Sequence, residues 1–122
     1  MPLDTEVAWA AGFFDGEGCS HATYSWTRKD GTKGYAIQVS LGQSGEEGRI
    51  ILERWNDTTG RLGNINGPYG PYGLSKKVVY QLQINGYDNV KKIYTLLEPW
   101  LSEPKIAQFN TTLDLWLKSK RG

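Results

Sequence analysis

The chain has 122 residues, of which 14 are Lys or Arg and 13 are Asp or Glu, so its net charge is only +1. No apolar run approaches the roughly 18 residues of a transmembrane helix, and the opening Met-Pro-Leu-Asp-Thr-Glu lacks the basic and apolar regions of a signal peptide. Cys19 is the single cysteine, which excludes an internal disulfide and suits a reducing compartment. We therefore expect one domain over 1–122 in an intracellular protein that is neither secreted nor membrane-bound.

The first segment predicts a helix over about residues 5 to 16, with Asp4 or Thr5 as its N-cap. Small residues recur every four positions and so form one face along which another helix can approach closely. These residues are Ala8, Gly12 and Gly16. Aromatic residues would fill a core on the other side of the helix. They are Trp9, Phe13 and Phe14.

Two acids, Asp15 and Glu17, lie where this helix ends, at Gly16 or Gly18. Negative charge at the C-terminal end of a helix opposes the helix dipole. A bound divalent cation is the natural way to offset this unfavourable placement.

A strand, a hairpin loop, a second strand and a helix are predicted next. Their bounds are 19–26, 28–34, 35–43 and about 46–59. The hairpin loop carries an Asp-Gly turn signal. In the second strand Tyr35, Ile37, Val39 and Leu41 point one way, opposite to Ala36, Gln38 and Ser40. In the helix, Ile50, Ile51 and Trp55 form the expected buried stripe, and Gly60 stops it.

The second half predicts two further strands and two helices. A short strand (62–66), a Gly-Pro-Tyr loop (67–73) and a strand (76–84) precede a helix capped by Asp88 and a last helix at about 105–119. Pro99 and Pro104 bracket the break between the two helices. The order α-β-β-α-β-β-α-α, with helices on one face of two hairpins, predicts an α+β domain.

Residues 10–18, Ala-Ala-Gly-Phe-Phe-Asp-Gly-Glu-Gly, resemble the LAGLIDADG motif of homing endonucleases. The stretch begins with Ala10 where Leu is usual, and its second acid is Glu17 rather than Asp. The family's element order, αββαββα with the motif helix first, matches essentially the whole chain. The resemblance implies a four-stranded antiparallel sheet that forms a DNA-binding saddle. Because one motif copy is present, it implies a homodimer whose paired first helices meet through Ala8, Gly12, Asp15 and Gly16.

The resemblance also implies an activity, which is Mg²⁺-dependent hydrolysis of both strands of a long, pseudo-palindromic duplex DNA site. Mn²⁺ would substitute for Mg²⁺, Ca²⁺ would support binding without cleavage, and no small-molecule cofactor is expected. An intron or another mobile element is the implied genetic context. Family relatives that bind nucleic acid without cutting it, such as intron maturases or regulators, are the alternative, and a small metal-binding interaction domain is a third possibility from outside the family.

Three residues match the positions of the family's catalytic groups. Glu17 occupies the place of the metal-binding acid, since metal ions activate water and neutralise phosphate charge; otherwise it is a solvated acid in a turn. Gln43 matches a residue that orders the attacking water. The alternative, nearly as well supported, is that Gln43 is an ordinary polar residue at the end of a strand. Lys105 matches a lysine that stabilises negative charge at the cut phosphate, with Gln108 one turn later to support the water; a surface lysine at a helix start is the alternative.

The sequence departs from the family at one place near these positions. Glu46 and Glu47 follow Gln43, where related enzymes often place basic residues.

DNA contacts are expected from the outward faces of the four strands and from the hairpin loops. Gln and Asn suit adenine edges, and Lys suits guanine or phosphate. The strand residues are His21, Thr23, Ser25, Gln38, Ser40, Asn64, Asn66, Lys77, Gln81 and Gln83, and the hairpin residues are Arg28, Lys29 and Lys33. A plain solvated sheet face is the alternative, but none of these strand positions is acidic. A near-neutral chain can still carry such a face.

Overall fold

The computed structural model describes residues 3–27, 29–31, 33–71, 73–74 and 76–121, without the side chains of residues 24–26, 33, 120 and 121. Over these residues the predicted order of helices and strands is confirmed, with one added 3₁₀ turn at Glu98–Trp100. The helices are α1 (Asp4–Glu17), α2 (Gly45–Thr58), α3 (Tyr87–Leu97) and α4 (Glu103–Arg121). The strands are β1 (Gly18–Thr27), β2 (Lys33–Ser44), β3 (Asn64–Tyr69) and β4 (Val79–Asn85).

The four strands form one antiparallel sheet in the order β1-β2-β4-β3. Each hairpin therefore contributes one central and one edge strand. Leu41 in β2 lies opposite both Gly18 at the start of β1 and Leu82 in β4. The predicted α+β class with a four-stranded antiparallel sheet is confirmed.

All four helices lie on one face of the sheet, where α4 packs across β1 and β2, and α2 packs across β2 and β4. Phe14 of α1 is at the centre of this core, with its ring centroid 6.2 Å from that of Trp55 and 5.3 Å from that of Phe109. The indole Nε1 of Trp55 donates to the carbonyl of Ala10 at 2.9 Å, so the buried ring has its polar atom satisfied. The motif helix is thus held by Phe14, whereas Trp9 and Phe13, also predicted to fill the core, are only partly buried.

The alternation predicted in β2 is confirmed. Ile37, Val39 and Leu41 are buried under the helices, whereas Ala36 is exposed on the other face. One face of the sheet is left without helices, as is common for antiparallel sheets.

Two predicted helix caps are wrong. The N-cap of α1 is Leu3, which makes no side-chain cap hydrogen bond, and Asp4 lies inside the helix. The N-cap of α3 is Gly86, and Asp88 lies in the first turn. In both places the acid still lies where the helix dipole favours negative charge.

The predicted stripe of α2 is partly wrong. Ile50 has 55 % of its surface exposed, and the buried residues are Gly48, Leu52 and Trp55. A Cβ atom at position 48 would lie 2.7 Å from the Cβ atom of Gln43, so the helix approaches β2 where Gly48 has no side chain. This close approach rotates Ile50 away from the sheet.

The loop predicted at 67–73 begins later than expected, because β3 continues to Tyr69. Gly67 has φ +124°, and a Cβ atom there would lie 2.8 Å from the carbonyl oxygen of Val79. Only glycine permits this close approach to β4. Pro68 is tolerated because β3 is an edge strand, where one side of the backbone has no partner strand.

Candidate nucleic-acid interface

The helix-free face of the sheet, which we call the open face, is covered by small and uncharged polar side chains. Residues paired across antiparallel strands share a face, so the register assigns its members directly. They include His21 and Thr23 of β1, Gln38 and Ser40 of β2, Asn64 and Asn66 of β3, and Gln81 and Gln83 of β4. The eight strand residues named here are thus brought to one surface, and none is acidic.

Amide side chains on the open face hydrogen-bond to one another across the strands. Gln38 Nε2 donates to Asn85 Oδ1 at 2.8 Å, and Asn66 Nδ2 donates to Gln83 Oε1 at 3.1 Å. Asn85 was missed in the sequence because the predicted strand ended at Ile84. Extending the two-residue alternation from Gln81 and Gln83 to the next position would have identified Asn85 as a residue of the open face.

Cys19 is a second residue of the open face that sequence reasoning missed. Its Sγ lies 3.3 Å from Ser40 Oγ and 3.6 Å from His21 Nδ1. His21 therefore takes part in a small hydrogen-bonded group. No set of three or more His, Cys, Asp or Glu within the described residues is placed to hold a metal ion.

Two of the predicted basic contacts, Lys29 and Lys77, have described side chains, and both residues lie just outside the strands. Lys29 is exposed in the β1–β2 turn. Lys77 is exposed just before β4 rather than inside it, where its Cδ lies 3.6 Å from the position of a Cβ atom on Gly45. Arg28 lies outside the described residues, and so do the side chains of Ser25 and Lys33.

Glu17 is the last residue of α1 and is exposed, and its carboxylate has no hydrogen-bond or ion-pair partner among the residues described. Asp15 differs, because its carboxylate accepts from the backbone N–H of Ser102 at 3.1 Å and from the Ser102 hydroxyl at 2.9 Å. Asp15 thus ties the end of α1 to the start of α4, which leaves Glu17 as the motif acid available to a ligand.

Lys105 lies beside Glu17 in the fold. Its ammonium donates to the carbonyl of Gly18, the residue after Glu17, and lies 5.6 Å from the ring centroid of Phe14. Gln108, one turn further along α4, accepts a hydrogen bond at Oε1 from the backbone N–H of Ser20 at 2.8 Å. Lys105 thus lies in the first turn of α4, beside the residue after Glu17, whereas the Oε1 atom of Gln108 is engaged with β1.

Gln43 lies at the same end of the sheet. It is two residues beyond Leu41, which is opposite Gly18, and its register partner is Tyr80. Both side chains point to the helical side, because Leu41 and Leu82 do. The end of α1, the end of β2 and the start of α4 therefore meet at one corner of the domain.

Glu46, one of the two unexpected acids, is neutralised within the chain. Its Oε1 accepts from Arg49 Nε at 2.8 Å, and its Oε2 lies 3.5 Å from the Tyr80 hydroxyl. The hydrogen bond from Arg49 lowers the pKa of Glu46, and the same contact raises the pKa of Arg49. Glu47 is exposed and has no such partner in the described part of the chain.

The small-residue face of α1 is uncovered in the single chain. Gly12 and Gly16 are exposed, and a Cβ atom at either position would meet no atom within 4 Å. Next to this face, Arg54 lies 3.8 Å above the Trp9 ring and pairs with Glu6 at 2.6 Å. The Arg54 hydrogen bond lowers the pKa of Glu6.

The donor set at the corner suits one kind of metal site. One exposed carboxylate without a partner cannot form a closed cage, but Mg²⁺ commonly takes one or two carboxylates and keeps waters and substrate phosphates as its other ligands. Glu17 fits that pattern, with the remaining ligands supplied by water and a phosphate. None of the described helices is long and apolar enough to cross a membrane.

Comparison with known proteins relates this arrangement to one group. No protein-family model and no curated protein matches the chain in sequence. In three dimensions it is similar to the homing endonuclease I-TnaI, with a TM-score of 0.74 and 23% identity over 100% of this chain and 77% of that one. I-CvuI, in complex with its target in the presence of 2 mM Ca, gives a TM-score of 0.71 and 21% identity over 95% of this chain and 68% of the other.

I-CeuI, a homing endonuclease encoded by a group I intron and complexed with DNA, gives a TM-score of 0.71 and 15% identity over 97% and 58% of the two chains. The neighbours thus include endonucleases crystallised with DNA and with Ca or Mg. They share the element order and the sheet described above. The chain has the fold of the LAGLIDADG homing endonucleases, the family that its motif resembles.

Proposed function

We propose that the chain is a site-specific homing endonuclease that acts as a homodimer on a long, pseudo-palindromic duplex DNA site inside the cell. The observation that supports this proposal is the open face, whose eight named strand residues are polar and not acidic. Its edge strand β1 begins at Gly18, the residue after Glu17, which accepts a hydrogen bond from Lys105. A curved antiparallel sheet with amide side chains can contact base edges in the major groove.

In this proposal each subunit reads half of the site and helps to cut one strand. The bound divalent ion, Mg²⁺ or Mn²⁺, would neutralise phosphate charge and activate water. Glu17 would hold that ion near the dyad, between the two α1 helices. Lys105 would stabilise negative charge on the phosphate, and Gln43 would orient the attacking water. Ala8, Gly12 and Gly16 would let the two helices approach closely, with Asp15 ordering their ends.

A non-cleaving nucleic-acid-binding relative is the second candidate. Glu47 favours it, because it is an exposed acid without a partner in the described chain and follows Gln43 by four residues, so its charge would oppose a phosphate bound beside Gln43.

Selection from a random duplex library separates the two candidates. The protein is used once in Ca²⁺, with recovery of bound DNA, and once in Mg²⁺, with recovery of cut DNA. We expect the same pseudo-palindromic site in both arms. A site that is bound in Ca²⁺ but is cut in neither Mg²⁺ nor Mn²⁺ identifies the non-cleaving relative, and no enriched site in either arm contradicts the proposed function.

A further inference from the structure

The residue before α4 and the first half of that helix contact the junction between α1 and β1 at three successive points. The contacts join Ser102 to Asp15, Lys105 to Gly18, and Gln108 to Ser20. Glu17 lies between the first and the second of them. The helix therefore runs alongside the segment that carries the acid and is bonded to it before and after that residue.

The Gln108 contact serves a backbone group that has no strand partner. β1 is an edge strand, so the N–H of Ser20 points away from the sheet, and Gln108 Oε1 accepts it at 2.8 Å. Ser20 is 3 % exposed, and its hydroxyl lies 3.4 Å from Thr112 Oγ1. Without Gln108 a buried N–H would lose its acceptor, which is costly in a protein interior.

The carboxylate of Glu17 has no partner of its own among the described residues. It is positioned by the backbone that follows it, where Gly18 pairs with Leu41 of β2 and accepts from Lys105, and where Ser20 donates to Gln108. The direction of that carboxylate therefore depends on how firmly the start of β1 is held.

We propose that Gln108 is a positioning residue for the reaction: by holding Ser20 it holds the start of β1, and with it the carboxylate of Glu17. The inference rests on the proposed function. It assigns Gln108 an action through the protein backbone, in place of the direct support of water that the sequence suggested.

Two substitutions at position 108 and one control test this role. Gln108→Leu keeps the size but removes the acceptor, whereas Gln108→Glu keeps the acceptor. Asn110→Leu makes the same amide-to-leucine change at an exposed position of α4. The readouts are amide hydrogen exchange at Ser20 without metal, DNA affinity in Ca²⁺, and the single-turnover cleavage rate as a function of Mg²⁺ concentration.

We expect Gln108→Leu to speed exchange at Ser20 by about tenfold or more and to lower the cleavage rate or the Mg²⁺ affinity by about 10- to 100-fold. Its DNA affinity should stay within about threefold of the wild type, because the change does not touch the open face. A threefold change is well below the roughly 1.4 kcal/mol of binding free energy that a tenfold change in affinity represents. Gln108→Glu should recover most of the loss, and Asn110→Leu should behave as the wild type.

Three results would overturn the inference. They are unchanged cleavage by Gln108→Leu despite faster exchange, an equal fall of DNA affinity and cleavage, and a loss as large for Gln108→Glu as for Gln108→Leu. A wild type that binds no DNA refutes the proposed function instead, and the exchange data then still show whether the Gln108 contact exists.

Discussion

At the scale of single residues, the cross-strand amide pairs give the open face a defined hydrogen-bonding pattern. In the Gln38–Asn85 pair, Gln38 donates and Asn85 accepts. The pair therefore still presents the carbonyl oxygen of Gln38 and the amide N–H groups of Asn85 to a ligand. This acceptor and donor match the N6 donor and N7 acceptor on the major-groove edge of adenine.

We expect Gln38→Ala and Asn85→Ala to relax base preference at the same base pair, by about 1–3 kcal/mol. The double variant should be little worse than either single one, since both remove one paired group. Asn66→Ala should act about two base pairs away, because Gln83 and Asn85 are two residues apart on β4, or roughly 7 Å. Site selection with each variant checks this, and relaxation at two separate positions by Gln38→Ala and Asn85→Ala would contradict it.

Some residues of the candidate site can be predicted from the sequence, and others cannot. The resemblance to the family predicts Glu17 and Lys105 as site residues, and in the structure Lys105 contacts Gly18, the residue after Glu17. The contact of Gln108 with Ser20 could not be predicted, because it depends on β1 being the edge strand next to α4. Glu46 and Arg49 are about one helical turn apart, so their ion pair could have been predicted from the sequence.

At the scale of helices and strands, α1 presents two faces with different uses. Its core side is buried and includes Phe14 and Ala10, its glycine side is exposed, and Trp9 and Phe13, predicted to fill the core, are only half-buried. Such a division predicts that a change at Gly12 acts on association and not on the fold of the single chain.

Gly12→Leu should therefore give a stable monomer. A Cβ atom at position 12 has no neighbour within 4 Å in the protomer, and replacing a helical glycine with leucine stabilises a helix by roughly 0.5–1 kcal/mol. Between paired helices, however, the leucine would overpack the contact. Sedimentation and thermal unfolding measure the two effects, with Thr111→Leu at an exposed position of α4 as the control. A wild type that is monomeric at micromolar concentration, with and without DNA, would count against the homodimer.

The order of the elements and the alternation in β2 could be predicted because each depends on local periodicity. The bounds and facing of other elements could not, because they depend on tertiary contacts. Gly48 buries itself against Gln43 and so sets the rotation of α2, although a glycine carries no hydrophobic signal. Gly67 and Pro68 read as loop residues, yet they continue an edge strand.

At the scale of the whole molecule, charge is distributed unevenly although the total is only +1. The open face carries no acid at its named strand positions, whereas exposed acids of α2 lie on the helical side. These acids include Glu46, Glu47 and Glu53. Binding through phosphates at the edge of the open face would release counterions, which makes it sensitive to salt.

We expect affinity for duplex DNA to fall steeply with salt, and Lys77→Ala to reduce the slope of log affinity against log salt by about 0.9. Lys118→Ala is the matched control, since Lys118 pairs with Asp114 at 3.0 Å on α4 and should leave the slope unchanged. Titrations at several salt concentrations provide the slopes. Undetectable binding at low salt would refute the nucleic-acid interface.

Single-turnover cleavage of the selected site in Mg²⁺, by the wild type and by Glu17→Gln, tests whether the protein cuts DNA through Glu17. We expect the wild type to cut both strands and the variant to be slower by at least about a hundredfold, the loss typical of one main electrostatic stabiliser. Binding of the variant in Ca²⁺ should stay within about tenfold of the wild type, because the substitution keeps size and removes like charge near the DNA backbone. Cleavage by Glu17→Gln at the wild-type rate would contradict the account.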